Sequence, residues 1–417
     1  MAVSVVVHRS AHEIGGNCIE VTAPGGERVL LDVGEPLSAP GEKAAPADRP
    51  ATLDLGRPAT VLVSHAHQDH YGLLRRVPAA WPAYCGPSAA KLIRLTAGMR
   101  GTPIDREFLE WRSGQPFAVG PFTITPYLTD HSAFDAYMLL VEVAGKRILY
   151  SGDFRRHGRK AALVDRMMAS PPGPVDLLVM EGTNVGTDKP WMSEDDLEGA
   201  FARTFRATPG RVFVSWSGQN VDRTVTIYRA CLEAERTLVV DLYAAEVLDL
   251  LSDYPRLPRV GSRNLKVVVT GRLAGSYRRR GRGDFVDRIA KSGRAFSAKK
   301  LVRADLKDVI MVRGSLVGDF EKAGVSPTRD DCWIWSMWAG YLEEPDGVAL
   351  RRWFAAGGAR EMKLHTSGHA SPADLKAFAN AVGARAMVPV HGLAWDDPQE
   401  GFPPMIRLAD GERLALS

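Results

Sequence analysis

The sequence predicts an α/β protein of two domains, and three observations carry that reading. Short apolar runs separated by turn residues fill the first third. From about residue 190 strand-like runs alternate with helical ones, the pattern of an α/β module. At 417 residues the chain also exceeds the usual size of a single core.

The elements follow in order. Val3 to Val7, Cys18 to Val21, Val29 to Val33 and Val61 to Val63 read as strands. Phe122 to Thr125, Tyr137 to Val143 and Ile148 to Tyr150 continue the series, and Val175 to Met180 reads as a strand buried on both faces. Glu194 to Phe205 and Val221 to Ala234 have helical periodicity. Strands Val212 to Ser215, Leu238 to Leu242, Val267 to Thr270 and Val309 to Val312 lie between or after them. Cys332 to Trp338 carries aromatics at period two and is expected to be a core strand rather than a binding platform. Met362 to Leu364, a helix from Pro372 to Val382, and Met387 to Val390 close the series. The Pro/Ala-rich stretch Leu37 to Pro50 is expected to be a surface loop.

Composition narrows the class. With 45% hydrophobic and 24% charged residues the chain reads as an ordinary soluble protein. The N-terminal residues lack the pattern of a secretory signal, and no apolar run approaches the ~18 residues that span a bilayer. Cys18, Cys85, Cys231 and Cys332 are far apart, which excludes a zinc ribbon and argues against a disulfide scaffold. A reducing, cytoplasmic location is expected. Net charge is +4, but residues 259–307 hold 15 cations and three anions, a local +12 that leaves −8 for the rest. Such a field favours a polyanionic partner.

The chemistry concentrates at Ser64-His65-Ala66-His67-Gln68-Asp69-His70, straight after the buried run Val61 to Val63. Imidazole and carboxylate are metal ligands. His65 and His67 share one face of an extended backbone, while Asp69 and His70 fall at the next element and reach a second position. One loop can therefore serve two ions a few ångströms apart. Single polar residues recur where strands end: Asp32, His131, Asp153, Glu181, His369 and His391. Ends of neighbouring strands converge on one rim, where metal and substrate can meet. His8, His12, His157 and His365 have no ligand spacing and are expected to be structural.

Through the His-x-His-x-Asp-His loop the sequence resembles the metallo-β-lactamase superfamily. More narrowly it resembles the β-CASP branch, which includes ribonuclease J and the cleavage-and-polyadenylation endonuclease. The resemblance covers nearly the whole chain. It matches Asp32, His131 in Asp-His-Ser and Asp153 in Ser-Gly-Asp-Phe, and also the three branch signatures. These are Glu181 in Met-Glu-Gly-Thr, His369 in Thr-Ser-Gly-His-Ala and His391 in Pro-Val-His-Gly. The fold implied is an αββα sandwich with an inserted α/β cap. The sandwich would occupy 1–190 and 348–417, and the cap 191–347, enclosing the +12 segment.

The resemblance implies two divalent ions, zinc first and manganese as the alternative. His65, His67 and His131 would hold one, and Asp69, His70 and His391 the other, with Asp153 bridging. Asp32 would orient a ligand imidazole. His369 would protonate the leaving oxygen or hold a phosphate oxygen, and Glu181 would orient His391 or His369. In the cap, Ser217, Asn220 and Arg223 at a helix start resemble the segment that approaches substrate phosphates. The activity implied is hydrolysis of RNA phosphodiesters by a metal-bound hydroxide, endonucleolytic or from the 5′ end.

Family members acting on DNA usually have an aliphatic residue at the position of His391, which favours single-stranded RNA over DNA. The strand is expected to thread between cap and catalytic domain along the basic segment. A DNA nuclease of the same fold and a catalytically silent nucleic-acid-binding subunit are the competing readings. The 238 residues from Asp153 to His391 are too many for a compact small-molecule hydrolase. A membrane partner is not expected, and a homodimer stays open.

Overall fold

The computed structural model describes residues 2–37, 48–303, 307–397 and 399–416. Most of the expected loop after Leu37, residues 38–47, lies outside them, as does Asp305 of the basic segment. Two sheets form a sandwich. The first runs Arg413–Leu416, Val3–Arg9, Cys18–Thr22, Arg28–Leu31, Thr60–Leu62, Ala83–Cys85, Phe108–Glu110 in spatial order. The second runs Ala386–Val390, Leu177–Glu181, Lys146–Tyr150, Tyr137–Val143, Phe122–Leu128, Phe117–Val119. Their inner faces meet in one core, where Val5, Val7, Ile19, Val21 and Leu62 pack with Ile124, Leu139, Val141, Leu177 and Val388.

Helices cover both outer faces. Pro87–Arg100 starts on a proline at its first turn and ends on Gly101 in the left-handed region, and it buries Leu92 and Ile93 on the first sheet. Ala161–Ala169 and Pro372–Val382 cover the second, through Val164, Met167, Leu375 and Phe378. This is the αββα sandwich expected.

The third sheet is parallel throughout, in the order Ala295–Ser297, Leu265–Val269, Leu238–Asp241, Val309–Met311, Val212–Ser215, Cys332–Trp335, Arg360–Lys363. Each face has its own core, one under helices Glu194–Ala207 and Val221–Glu233, the other under Gly314–Lys322 and Pro345–Ala356. Helix Glu194–Ala207 opens on a Ser193–Asp196 capping box, which sets where the cap begins.

Two expectations shift here. The boundary at 347 falls inside helix Pro345–Ala356, whose Phe354 stacks on Trp333 in the cap core. That helix is the crossover that a further parallel strand requires, so the cap sheet continues to Lys363. The strand expected over Cys332 to Trp338 ends at Trp335; Trp333 and Trp335 are core, but Trp338 lies past the strand and is exposed.

The basic segment contributes Leu265–Val269 and Ala295–Ser297, one edge of this sheet, whereas Arg360–Lys363, which leads to His369, is the opposite edge. At ~4.8 Å per strand the two edges are about 29 Å apart. Arg278, Arg282 and Arg288 are also engaged by Asp287, Glu246 and Asp249. The basic strands thus lie on the edge away from His369. No helix among the described residues is long and apolar enough to cross a membrane, and all four cysteines are free and buried.

Candidate metal centre

The strand Thr60–Leu62 stops one residue before Ser64, and the chain turns through His65 to His70 at the rim where both sandwich sheets end. Close backbone approach builds this turn. Asn17 N–H donates to the Asp69 carbonyl at 3.0 Å and Val33 N–H to the His70 carbonyl at 2.9 Å. A Cβ on Gly34 would lie 1.7 Å from the Asp69 carbonyl oxygen, so only glycine fits.

The structure brings together every metal-ligating residue read from the sequence. Ring nitrogens of His65, His67 and His131 form one group, and Asp69, His70, Asp153 and His391 another; within each the atoms lie within 4.8 Å of one another. Asp153 reaches both groups: its Oδ2 is 3.0 Å from His70 Nε2, 3.7 Å from His65 Nε2 and 4.0 Å from His131 Nε2. Four of the other five histidines lie elsewhere: His8 on Glu20, His12 on Asp396, His157 on the Ser367 carbonyl, His365 beside Arg223.

Outer partners set which nitrogen faces the cleft. His70 Nδ1–H donates to Asp32 Oδ2 at 2.7 Å, and His131 Nδ1–H to the Gly368 carbonyl at 2.6 Å. His391 Nδ1–H donates to Asn17 Oδ1 at 2.7 Å. Ser64 Oγ–H is given to Asp32 Oδ2, so the same oxygen accepts from His65 Nδ1–H at 3.0 Å. In His65, His131 and His391 Nε2 is thereby left as a lone pair on the cleft side, the tautomer a metal needs, whereas His70 Nε2 is held 3.0 Å from Asp153 Oδ2. Asp32 Oδ2 also takes the Tyr150 hydroxyl. Asp32 and His391 both hold positive φ, 63° and 51°, strain of the kind kept at functional sites.

Two observations show that this donor set fits divalent ions. His67 Nδ1 lies 3.2 Å from His65 Nε2 and 3.1 Å from His131 Nε2, so three imidazole nitrogens converge on one point, the arrangement a single cation takes. Secondly, His391 Nε2 and Asp153 Oδ1 are buried without any hydrogen-bond partner. A buried polar atom left unmade costs ~1–3 kcal/mol, so two in one cleft mark a missing partner.

Electrostatics agree. Burial, then neighbouring imidazoles, hold His65 and His131 well below the ordinary range; burial holds His67 down to about 4 and lowers His391. These rings are neutral near pH 7; on His70 burial opposes charge, but Asp153, Asp32 and Asp69 outweigh it and raise its pKa well above the ordinary range. On Asp153 burial opposes charge, but His391 and His70 outweigh it and keep the carboxyl ionised.

Beside the two groups, His369 Nδ1 sits 3.2 and 3.1 Å from the two Glu181 oxygens and 3.1 Å from Thr183 Oγ1. Glu181 is itself held by the N–H groups of Phe154 and Thr183. Its partner is thus His369 rather than His391. Burial works against charge on His369, but Glu181 and then Asp153 lift its pKa to about 9, so it carries a proton near neutrality.

The cap residues divide. Asn220 caps helix Val221–Glu233, and its backbone bridges to Ala133, two residues past His131. Ser217 is exposed in the same loop. Arg223 is a correction: it is fully buried and gives Nε and Nη2 to Glu194 at 3.2 and 3.0 Å and Nη1 to the Ser336 carbonyl at 3.1 Å. It has nothing left for a phosphate, because the pairing that makes it affordable to bury uses its whole fork.

Sequence reasoning missed Asn17, Ser64, Tyr150 and the Gly368 carbonyl. Ser64 and Gly368 adjoin residues that were read. Asn17 and Tyr150 carry no local signal, since only folding brings them to His391 and Asp32.

A beta-lactamase superfamily domain matches residues 27–216, from the strand Arg28–Leu31 into the first cap strand. That stretch of the chain carries a metallo-β-lactamase superfamily domain. The chain's metallo-β-lactamase domain and cap are similar in sequence to ribonuclease J of Mycobacterium tuberculosis (strain ATCC 25618 / H37Rv), 26% identical over 350 residues, 80% of this chain and 58% of that protein. Ribonuclease J of Sinorhizobium meliloti (strain Sm2011 / Rm2011 / 2011) is 23% identical over 389 residues, 86% and 63% of the two chains. The chain thus spans less than two thirds of the length of these relatives. The crystal structure of a protein of unknown function from Enterococcus faecalis V583 shares the fold, with a TM-score of 0.81 at 20% identity and both chains fully covered.

Proposed function

We propose that this chain is a two-metal nuclease that hydrolyses RNA phosphodiesters. The observation that carries the reading is the pair of adjacent ligand groups joined by Asp153, with His391 Nε2 and Asp153 Oδ1 buried and unpartnered beside a protonated His369. His65, His67 and His131 would hold one ion and Asp69, His70 and His391 the other. Two such ions, zinc or manganese with this donor set, supply Lewis acidity and a water of lowered pKa.

The chain's own residues do the rest. Asp32, Asn17, Ser64 and the Gly368 carbonyl hold the rings in one tautomer. Glu181 keeps His369 charged at Nδ1, so Nε2 is the atom that passes a proton to the leaving oxygen or holds a phosphate oxygen. Val221, Val225, Val247 and Leu251 of the cap pack into the core under helix Pro87–Arg100, which closes one side of the cleft against water. Similarity to ribonuclease J supports RNA as substrate, with Ser217 and Asn220 near its phosphates. A single strand is the form that an opening between two domains admits.

The test uses the full chain loaded with zinc or manganese on end-labelled single strands of RNA and DNA. The RNAs carry 5′-monophosphate, triphosphate or hydroxyl, and products are mapped. Cleavage of RNA that a chelator abolishes is expected; monophosphate preference with mononucleotide products assigns a 5′ exonuclease, internal cuts an endonuclease. Cleavage of DNA alone overturns the RNA reading. No cleavage with fewer than about two bound equivalents of metal, where two ions are needed, overturns the enzyme reading in favour of a binding subunit.

A further inference from the structure

Among the described residues eight large hydrophobic side chains are exposed: Leu37, Leu109, Leu232, Tyr254, Val302, Trp338, Tyr341 and Leu393. Scattered single cases need no explanation, but a cluster does. Two of the eight, Leu37 and Leu393, lie beside residues of the metal cleft, and two more, Trp338 and Tyr341, lie just past the carboxyl end of the strand Cys332–Trp335. Leu393 follows His391 by two residues and is 70% exposed. Leu37 and Asp69 flank Gly15, where an added Cβ would lie 2.7 Å from Leu37 Cγ and 3.2 Å from Asp69 Cβ. Trp338 meets Tyr341 edge to face, with centroids 5.3 Å apart at 88°.

Topology explains why the cap presents aromatics here. Parallel sheets present their ligand side at the carboxyl ends of the strands. Cys332–Trp335 and Arg360–Lys363 are neighbouring parallel strands: the second runs on to His369, the first to Trp338. Ser336 ties the two exits together by donating Oγ–H to the Leu364 carbonyl. The Trp338 carbonyl accepts from Trp335 Nε1 at 3.1 Å, which anchors its backbone to the core. Its ring lies against Gly340, where any Cβ would come within 2.2 Å of it. Trp338 is therefore held in place, yet 53% of it is exposed.

Resting on the nuclease reading, we propose that Trp338 and Tyr341 form a stacking platform for an unpaired nucleobase of the strand whose phosphate sits at the metal centre. Nucleobases suit this surface because stacking on an aromatic face needs no particular base edge and leaves the backbone free for the metals. The rigid pair, with one ring braced on a glycine, loses little entropy when it binds.

The experiment measures binding of a fluorescein-labelled eight-nucleotide RNA to the full chain by anisotropy, and kcat and KM for its cleavage. Trp338→Ala is expected to weaken binding and raise KM by on the order of tenfold, with kcat changed less than about twofold. Trp338→Phe should restore most of the loss, and Tyr341→Ala should act in the same direction should Trp338→Ala prove insoluble. An RNA of the same length with abasic residues should bind wild type and Trp338→Ala alike. Equal binding of the intact RNA by wild type and Trp338→Ala overturns the platform. So does a shift in oligomeric state on sedimentation without any change in RNA binding, which assigns the patch to a second copy of this chain. If neither RNA nor DNA is cut while the Trp338 effect on binding persists, the nuclease reading falls and the platform stands.

Discussion

The metal cleft and the junction between cap and sandwich are both buried, polar and charged, yet they are finished in opposite ways. At the junction Arg155 bridges Glu194, Asp222 and the Ser367 carbonyl, while Arg223 bridges Glu194, Ser336 and the Thr366 carbonyl. Both oxygens of Glu194 are used, and Thr226 adds a third donor. Arg155 Nε makes no hydrogen bond there but faces Asp130 Oδ1 at 3.6 Å. In the cleft, by contrast, imidazole nitrogens converge, and His391 Nε2 and Asp153 Oδ1, both of metal-ligand type, have no hydrogen-bond partner. Opposite charges close the junction on itself, whereas converging ligand atoms leave the cleft open to something that comes from outside.

The sharpest way to break that contrast is Asp153→Asn, which keeps size and removes charge. We expect cleavage to fall by about 10³-fold or more, since several kcal/mol of charge stabilisation go with the metals. Bound metal, read by plasma mass spectrometry, should fall too, and thermal stability of the metal-free protein should not. If stability of that metal-free form collapsed instead, the cleft would be a structural network like the junction.

The converse test is Arg223→Met. Removing Arg223 takes two of the donors from the buried Glu194, leaving it Arg155 and Thr226, and should cost roughly 3 kcal/mol on urea unfolding. Cleavage per folded molecule should change little. Intact stability with lost cleavage would move Arg223 back to the substrate.

A smaller effect separates the two regions by pH. Burial pushes Glu194 up, but Arg223 and Arg155 outweigh it and hold the carboxyl at about 2, against 4.5 when unfolded. A depressed carboxylate contributes stability above the unfolded value and loses it as pH falls from about 4.5 through 2, here about 3 kcal/mol. Unfolding curves of wild type and Glu194→Gln across that window should converge as acid is added. Parallel curves would show that Glu194 is not held down by its arginines.

The smallest effect expected is that of Asn17→Ala, which frees His391 Nδ1. Metal affinity should fall by about 10–100-fold, as for other partners behind a ligand ring. An unchanged affinity in a competition titration would mean that His391 needs no such support.

Periodic segments were readable because burial follows them directly. Tyr137–Val143, Val212–Ser215 and Pro372–Val382 form where expected, residue for residue. Three-residue strands such as Ala83–Cys85 and Ala295–Ser297 were not, since three residues establish no period. Arg360–Lys363 was read only in part, as Met362 to Leu364 and outside the cap, for another reason. It is an edge strand with mostly exposed side chains, and its membership of the cap depends on pairing with Cys332–Trp335.

The sequence by itself determined the donor set, because ligand chemistry resides in side-chain type and in the short spacing from His65 to His70. Only the tertiary structure decided what each polar residue is for. Glu181 could have served His391 or His369, and the sheet register placed it on His369. Arg223 looked available to a phosphate until the closing of the cap on the sandwich buried it against Glu194. Trp338 looked like core, but the strand ended three residues before it and left the ring exposed. Residue type is local, whereas burial and pairing belong to the packed chain and come from partners up to hundreds of residues away.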